Sequence, residues 1–240
     1  MDRSFDNRVG TLLNETLPIL RRTVLTVVVI ILSFVHFSIN AACPEPIVES
    51  IETLSSSKVI QAVEEDTLRV LESGPTYKIY DAGVKQYGEL TALVQSSNTP
   101  ISLGEEMRPY MNTQRLWTFF RNNDISLQDD PPEELYVYNW IEKAQGKMIF
   151  DVGIPIREQA INTTLPNWLQ TKTYEPMKFA SLVYVGPFPH QEGSGWQKIQ
   201  WEARAREKGC VYDERMYREL YHRYDFANNQ HITEVQISIK

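Results

Sequence analysis

Carboxylate and tyrosine side chains recur in this sequence at the two-residue spacing that places them on one face of a β-strand. Glu219 and Tyr221 fall on one side of a predicted strand. Glu134, Tyr136 and Tyr138 fall on one side of another. Acidic groups and rings that share a face are candidates for a site, although a solvated surface strand alternates in the same way.

A third predicted strand closes the chain and adds two polar candidates. Val235, Ile237 and Ile239 share one face, which we expect to pack on helices. Glu234 and Gln236 then face the other way. We expect them to join the carboxylates and rings of the other two strands in one central groove.

Such a groove suits a small hydrophobic or cationic ligand. A ring face attracts a cation by ~0.5–2 kcal/mol, and a carboxylate beside it supplies the countercharge. Trp196 is a further candidate for the wall of the groove, with the core as its other possible place. Burial among rings also raises the pKa of a carboxyl group. Glu219 beside Tyr221 is therefore a candidate general acid, and no catalytic residue is assigned beyond this pair.

A repeated pattern relates two parts of the chain. Glu-Leu-Tyr begins at residue 134 and again at residue 219, an offset of 85 residues. The strands that follow keep this offset, since Phe150 matches Val235, Val152 matches Ile237 and Ile154 matches Ile239. A shared offset for two separate elements indicates an internal duplication.

Each repeat has the same predicted order of elements. A strand (90–94 and 179–185) precedes a helix (107–122 and 195–208), and a pair of strands follows. The predicted fold class is therefore α+β, with duplicated strand–helix–strand–strand halves. We place the domain at 89–240, with halves 89–158 and 173–240.

The second half resembles the GyrI-like small-molecule-binding domain, also called the AraC-type effector-binding domain. The motifs that carry the resemblance are Val185-Gly186-Pro187-Phe188, Arg218-Glu219-Leu220-Tyr221 and Thr233-Glu234-Val235-Gln236-Ile237. It implies the duplicated fold and an effector-binding groove, and some relatives hydrolyse strained small-ring compounds. Gln236 departs from the family, which commonly has an aromatic residue there. The sequence also contains no DNA-binding domain that would support the transcription-factor role of many relatives.

The N-terminal part predicts a membrane anchor. Residues 23–42 contain no Asp, Glu, Lys or Arg, and twenty such residues can span a bilayer. Arg21 and Arg22 precede them, so the positive-inside rule places leader 1–22 in the cytoplasm and the domain outside. The alternatives are a signal peptide cleaved near Ala41 or Ala42 and a lipoprotein anchored at Cys43.

Between the anchor and the domain, we predict a linker over 43–57 and a lead-in over 58–88. The lead-in contains a helix over 58–72 and an extended segment over 77–87. Cys43 lies just beyond the apolar segment and Cys210 lies deep in the domain, so we do not expect them to pair.

Composition limits the possible partners. The formal net charge of −7 argues against nucleic acid, which requires a basic surface. The scattered histidines and cysteines have no metal-ligand spacing, so we predict neither a metal nor a cofactor.

The leading hypothesis is a membrane-tethered binding module, and its protein partner is unknown. The alternatives are a hydrolase in the same groove and a non-enzymatic membrane scaffold.

Overall fold

Antiparallel strands make up most of the described chain in the computed structural model. It describes residues 43–44, 47–48, 55–157, 161–189, 191–200, 204 and 207–240, all within one compact unit. The helices are α1 (Ser56–Glu64) and α2 (Gln114–Asn123). The strands are β1 (Ile47–Val48), β2 (Arg69–Ser73), β3 (Lys78–Tyr87), β4 (Leu90–Ser96), β5 (Ile101–Ser102), β6 (Glu134–Glu142), β7 (Lys147–Pro155), β8 (Gln170–Tyr174), β9 (Met177–Gly186), β10 (Tyr212–Arg223) and β11 (His231–Ile239).

The predicted leader and membrane segment, residues 1–42, lie outside the described residues. Within the described part of the chain, no helix has both the length and the apolar character needed to cross a membrane.

All these strands belong to one sheet. Its order is β1-β3-β9-β11-β10-β6-β7-β4-β8, with β2 paired to β3 and β5 paired to β7. The sheet curves strongly enough that Tyr87 of β3 and Tyr174 of β8 join one core cluster with Leu135 and Leu220 of the two central strands.

The pairing of the strands shows that the chain is duplicated. Leu135 of β6 lies directly opposite Leu220 of β10, and these residues are related by the offset of 85. An approximate twofold axis therefore passes between them. The outer strands keep the same offset, since Leu93 pairs with Ile154 in one half and Lys178 pairs with Ile239 in the other. This confirms the predicted α+β duplication and is the architecture that the resemblance to GyrI-like domains implies.

The helix of the first half is shorter than the sequence predicts. The stretch predicted as a helix over 107–122 begins with turns, and α2 starts only at Gln114, because the N–H of Thr113 bonds to the carbonyl of Met111 in a local turn. The helix predicted over 195–208 lies partly outside the described residues, and within the described part Trp196–Lys198 form a 3₁₀ turn. Helical hydrogen bonds then link Arg204 to Gln200 and Lys208 to Arg204.

The lead-in, residues 58–88, differs more from its predicted structure than the first-half helix does. The predicted helix over 58–72 ends at Glu64, and Asp66 takes a left-handed conformation. Residues 69–73 form β2 instead, because they pair with β3 at the edge of the sheet. The extended segment predicted over 77–87 is strand β3, which pairs with β9 inside the sheet.

The expectation that the two cysteines do not pair is wrong. Cys43 and Cys210 form a disulfide across a sequence separation of 167 residues. Other contacts also tie the described residues of the predicted linker 43–57 to the domain. β1 pairs with β3, and Ser55 and Ser56 are buried. The separation of the cysteines along the chain says nothing about their distance once the sheet has formed.

The two faces of the sheet are covered by different elements. The groove face carries Glu134 and Tyr136 of β6, Glu219 of β10 and Val235 of β11, and Tyr136, Glu219 and Val235 lie directly opposite one another on these three strands. On this face α2 packs through Leu116 and Phe120 against Leu93 and Ile154. The α1 face carries Leu135, Leu220 and Glu234, and there α1 packs through Val59, Ile60 and Val63 against Val183 and Ile232.

Candidate functional site

An open groove of about 480 Å³ lies on the groove face. This volume is within the range of about 300–1,000 Å³ that is usual for small-molecule sites. Helix α2, the start of β6, the loop after β9 and the β10–β11 connection contribute its walls. The lining residues are Thr113, Trp117, Glu133, Glu134, Tyr136, Phe188, Tyr224 and Phe226.

Glu134 is the most deeply buried acidic residue of the groove wall. It is only 5% exposed, and its Oε2 accepts hydrogen bonds of 2.7 Å from the hydroxyls of Tyr136 and Tyr224. Its Oε1 accepts no hydrogen bond from a described residue, and no described lysine or arginine forms an ion pair with it. A buried charge without a cationic partner is costly, so this carboxylate favours a cation in the groove.

Glu219 occupies the equivalent position in the second repeat. It is also 5% exposed, and it accepts hydrogen bonds from the hydroxyls of Tyr217 at 2.8 Å and Tyr221 at 3.0 Å. Burial raises the pKa of the Glu219 carboxyl group, although the tyrosine hydroxyls oppose the rise. Glu219 does not line the groove, and its cross-strand neighbour Tyr136 does.

Tyrosines connect the two carboxylates across the twofold axis. The rings of Tyr136 and Tyr221 are 5.1 Å apart, and those of Tyr138 and Tyr217 stack at 4.2 Å. Burial, followed by the charge of the adjacent carboxylates, raises the pKa of the hydroxyls of Tyr136 and Tyr221. These hydroxyls therefore stay protonated at neutral pH and act as hydrogen-bond donors.

An aromatic rim borders the groove. The Phe188 ring stacks on His231 at 3.9 Å and lies 5.8 Å from the Tyr224 ring. Phe226, 5.7 Å from Tyr224, is 73% exposed, which is unusual for so large an apolar side chain. Desolvation lowers the pKa of His231, so the rim is uncharged at neutral pH. The rim offers apolar contact at the mouth of an acidic groove.

The structure separates two predicted site residues from the rest. Glu234 and Gln236 lie on the α1 face, opposite the face that carries Glu219 and Tyr221. Both are fully buried in the interior. The expectation that all four side chains share one groove is therefore wrong.

A β-bulge explains this error. Near the turn, Arg223 pairs with Ile232, but the register shifts by one residue before Tyr221, which pairs with Thr233. Without that shift, Tyr221 would lie opposite Glu234, and the two residues would share a face. A single extra residue in one strand reverses the facing of every side chain beyond it.

Glu234 instead belongs to a buried polar network. Lys85 Nζ lies 2.8 Å from its Oε1, and Gln236 donates to the same oxygen at 2.7 Å. Burial opposes ionisation of Glu234, but Lys85 and His222 outweigh this and hold the pKa of its carboxyl group well below the usual range. Gln236 also accepts two hydrogen bonds from the guanidinium of Arg218, which packs 3.9 Å from the ring centre of Phe179.

Part of this network has the order of a Ser–His–acid triad. Ser56 Oγ lies 2.9 Å from His222 Nδ1, and His222 Nε2 lies 3.2 Å from Glu234 Oε2. However, Ser56 is only 5% exposed, and the backbone N–H groups of Ser56 and Ser57 are both bonded to Asp130. Those N–H groups therefore cannot stabilise an oxyanion. The bonds hold the start of α1 against the sheet.

The predicted residues thus fall into four groups, one of which is the pair Glu234 and Gln236 on the α1 face. Glu134 and Tyr136 line the groove, and Glu219, Tyr221 and Tyr138 form the layer next to it. Trp196 packs edge-on against Tyr184 at 4.9 Å, away from the groove wall. The residues not predicted as site residues are Thr113, Trp117, Glu133, Phe188, Tyr224 and Phe226. Of these, Phe188 belongs to the Gly-Pro-aromatic motif, which is a signal in the sequence. Tyr224 and Phe226 lie in a loop, where no periodicity indicates the direction of a side chain.

Comparisons with known proteins gave similar folds only. No protein-family model and no curated protein matches the chain. The solved structures that resemble it include SAV2435 bound to tetraphenylphosphonium, with 17% identity and a TM-score of 0.47, covering 65% of this chain and 92% of that one. The EcmrR C-terminal domain has 11% identity and a TM-score of 0.49, covering 68% and 98%.

A transcription regulation protein from Staphylococcus aureus MU50 is similar at 16% identity and a TM-score of 0.44, covering 65% of this chain and 96% of that one. Identities this low at TM-scores below 0.5 assign neither an activity nor a ligand to this chain.

Proposed function

We propose that this protein is a binding module that captures a small hydrophobic organic cation in the groove. The observation that carries the proposal is the buried Glu134 carboxylate, which lines an aromatic groove and forms no ion pair with a described residue. A ligand cation would supply the missing countercharge.

The groove wall provides both kinds of contact that such a ligand needs. The rings of Trp117, Tyr136 and Tyr224 offer apolar area and π faces, each worth ~0.5–2 kcal/mol to a cation. A neutral ligand would leave Glu134 buried without a countercharge, and an anion would be repelled by it. A comparison of a cationic ligand with an anionic ligand of the same shape is therefore the most direct test.

An open groove also favours binding over a purely structural role. In a scaffold whose groove is vestigial, the protein's own side chains would fill the space between α2 and the central strands. Instead the space is about 480 Å³ and has the exposed ring of Phe226 at its rim.

The test compares two ions of the same size and shape. The full-length chain, in one detergent throughout, is titrated by calorimetry with tetraphenylphosphonium and with its anionic counterpart tetraphenylborate. We expect the cation to bind at least about tenfold more tightly, a difference of about 1.4 kcal/mol. Equal affinities would show that the groove selects for apolar area alone and would refute the proposal.

Glu134→Gln identifies the carboxylate that selects the cation. This variant keeps the shape and an acceptor for both tyrosine hydroxyls, and we expect it to bind tetraphenylphosphonium about tenfold more weakly. Glu142→Gln is the matched control, because Glu142 is at the other end of the same strand and is 43% exposed. Loss of affinity in both variants would point to the net negative charge of the protein instead of the groove.

We further propose that the domain is extracytoplasmic and tethered through residues 23–42. The Cys43–Cys210 disulfide supports the compartment, since disulfides persist where the environment is oxidising. It also disfavours the lipoprotein alternative, because a sulfur in a disulfide cannot carry a lipid. Protease digestion of sealed inverted membrane vesicles is the test, and cleavage of the domain in those vesicles would place it in the cytoplasm.

A second candidate is a hydrolase that uses the same groove. It is favoured by the hydrogen bond from Tyr221 to Glu219 and by the raised pKa of the Glu219 carboxyl group, which suits a general acid. Because Glu219 lies one layer behind the groove wall, a substrate would have to reach it past Tyr136. The test is hydrolysis of a strained-ring electrophile such as styrene oxide by the wild type and by Glu219→Gln. Turnover that the substitution abolishes would support catalysis, and its absence in a preparation that binds tetraphenylphosphonium would leave binding alone.

A further inference from the structure

The groove wall contains a second carboxylate beside Glu134. Glu133 also lines the groove and is about half-buried, and its Oε1 accepts a hydrogen bond of 3.4 Å from the backbone N–H of Tyr224. Burial raises the pKa of the Glu133 carboxyl group, the hydrogen bond from the Tyr224 N–H opposes the rise, and the charge of Glu134 adds to it. The two carboxylates therefore act on each other electrostatically.

Tyr224 sets the distance between these carboxylates. Its backbone N–H is bonded to Glu133, and its hydroxyl is bonded to Glu134 at 2.7 Å. The two acidic groups therefore lie at opposite ends of one tyrosine residue. Glu134 is at the deep, buried end of the groove, and Glu133 is at the better hydrated end.

Protein cations do not neutralise this pair in the part of the chain that the structure describes. The ionic partner of the neighbouring Arg223 is Glu64, 2.6 Å away, and neither Glu133 nor Glu134 forms an ion pair with a described lysine or arginine. The groove thus presents two negative charges along an aromatic wall, and a ligand with one positive charge can satisfy only one of them.

We propose that the groove selects compounds with two cationic centres, separated by about the length of a tyrosine, over singly charged compounds with the same ring system. The first cation lies against Glu134 among the rings, and the second lies against Glu133 near the solvent. This inference rests on the proposed function and names the class of ligand.

Ethidium and propidium provide a matched pair of probes. They share one phenanthridinium ring system, and propidium carries an additional quaternary ammonium group on a three-carbon chain. Their affinities for the full-length protein are measured by fluorescence titration in the same detergent and at low ionic strength. We expect propidium to bind about two- to fivefold more tightly, the gain that one partly exposed ion pair provides.

The variants assign that gain to one residue. Glu133→Gln keeps an acceptor for the Tyr224 N–H, and we expect it to remove the preference for propidium, so that the two dyes bind with equal affinity. Glu142→Gln should keep the wild-type preference for propidium. We expect Glu134→Gln to weaken the binding of both dyes. Thermal unfolding of each variant verifies that it is folded.

The outcomes separate this inference from the function on which it rests. If ethidium binds but propidium binds no better, or if Glu133→Gln leaves the preference unchanged, the inference is overturned and the binding function stands. If neither dye binds to the folded protein, the proposed function itself is overturned.

Discussion

Removing the Cys43–Cys210 disulfide should destabilise the domain strongly. The bond joins residues 167 positions apart, so it closes most of the described chain into one loop. The loss of loop-closure entropy in the unfolded chain corresponds to about 5 kcal/mol at 25 °C for a loop of this size. Because total stabilities are about 5–15 kcal/mol, reduction should bring the domain close to the limit of folding.

Urea unfolding measures this effect directly. The wild type is unfolded with and without reductant, and so is the Cys43→Ser variant, which leaves Cys210 as a thiol. We expect the free energy of unfolding to fall by about 3–5 kcal/mol on reduction of the wild type. The variant should match the reduced wild type and should not respond to the reductant.

Two results would refute this reasoning. Free thiols at both cysteines in the oxidised, folded protein would show that the bond does not form. Equal unfolding free energies with and without reductant would show that residues near Cys43 are held by other contacts, such as those of Ser55 and Ser56, and that the loop closure contributes nothing.

The remaining predictions concern buried charges. Burial raises the pKa of Glu219, so the wild type should gain stability relative to Glu219→Gln as the pH falls through that raised pKa, with no further gain below about pH 4.5. The pKa of Glu234 shifts in the opposite direction, because the lysine and histidine bonded to its carboxylate outweigh the effect of burial and lower the pKa. The wild type should lose stability relative to Glu234→Gln as the pH falls below about 4.5, and unfolding of each pair between pH 3 and 8 tests both signs. Arg218→Met leaves the side-chain oxygen of Gln236 without its two buried donors, and thermal unfolding should show a loss of about 1–3 kcal/mol. The matched variant Arg215→Met, at a side chain that is 72% exposed, should change the free energy of unfolding by less than about 1 kcal/mol.

Much of the fold could be predicted because the same alternation of apolar and polar side chains occurs in both halves at one offset. The offset of 85 residues, found from Glu-Leu-Tyr and the closing strands, is the offset that relates the paired residues Leu135 and Leu220. Periodicity was less informative for the lead-in. Residues 69–73 alternate too weakly to distinguish a helix from a strand, and their pairing with β3 decides the matter.

The candidate site was predicted in part. Glu134 and Tyr136 line the groove, because their strand is regular and its alternation is preserved through the contact with β10. Tyr224 and Phe226 could not be predicted, because they lie in the β10–β11 connection, where no period relates a side chain to a face.

The sequence by itself determined which residues alternate, where the repeats lie and that acidic and aromatic side chains share strands, because these are local properties of the chain. Only the tertiary structure decided which strands share a face and which distant residues meet. The bulge between Tyr221 and Arg223 turned Glu234 into the interior, and the pairing of β1 with β3 accompanies the packing of Cys43 against Cys210. Both outcomes depend on hydrogen-bond register and on the path of the chain in three dimensions, and a local pattern of residues contains neither.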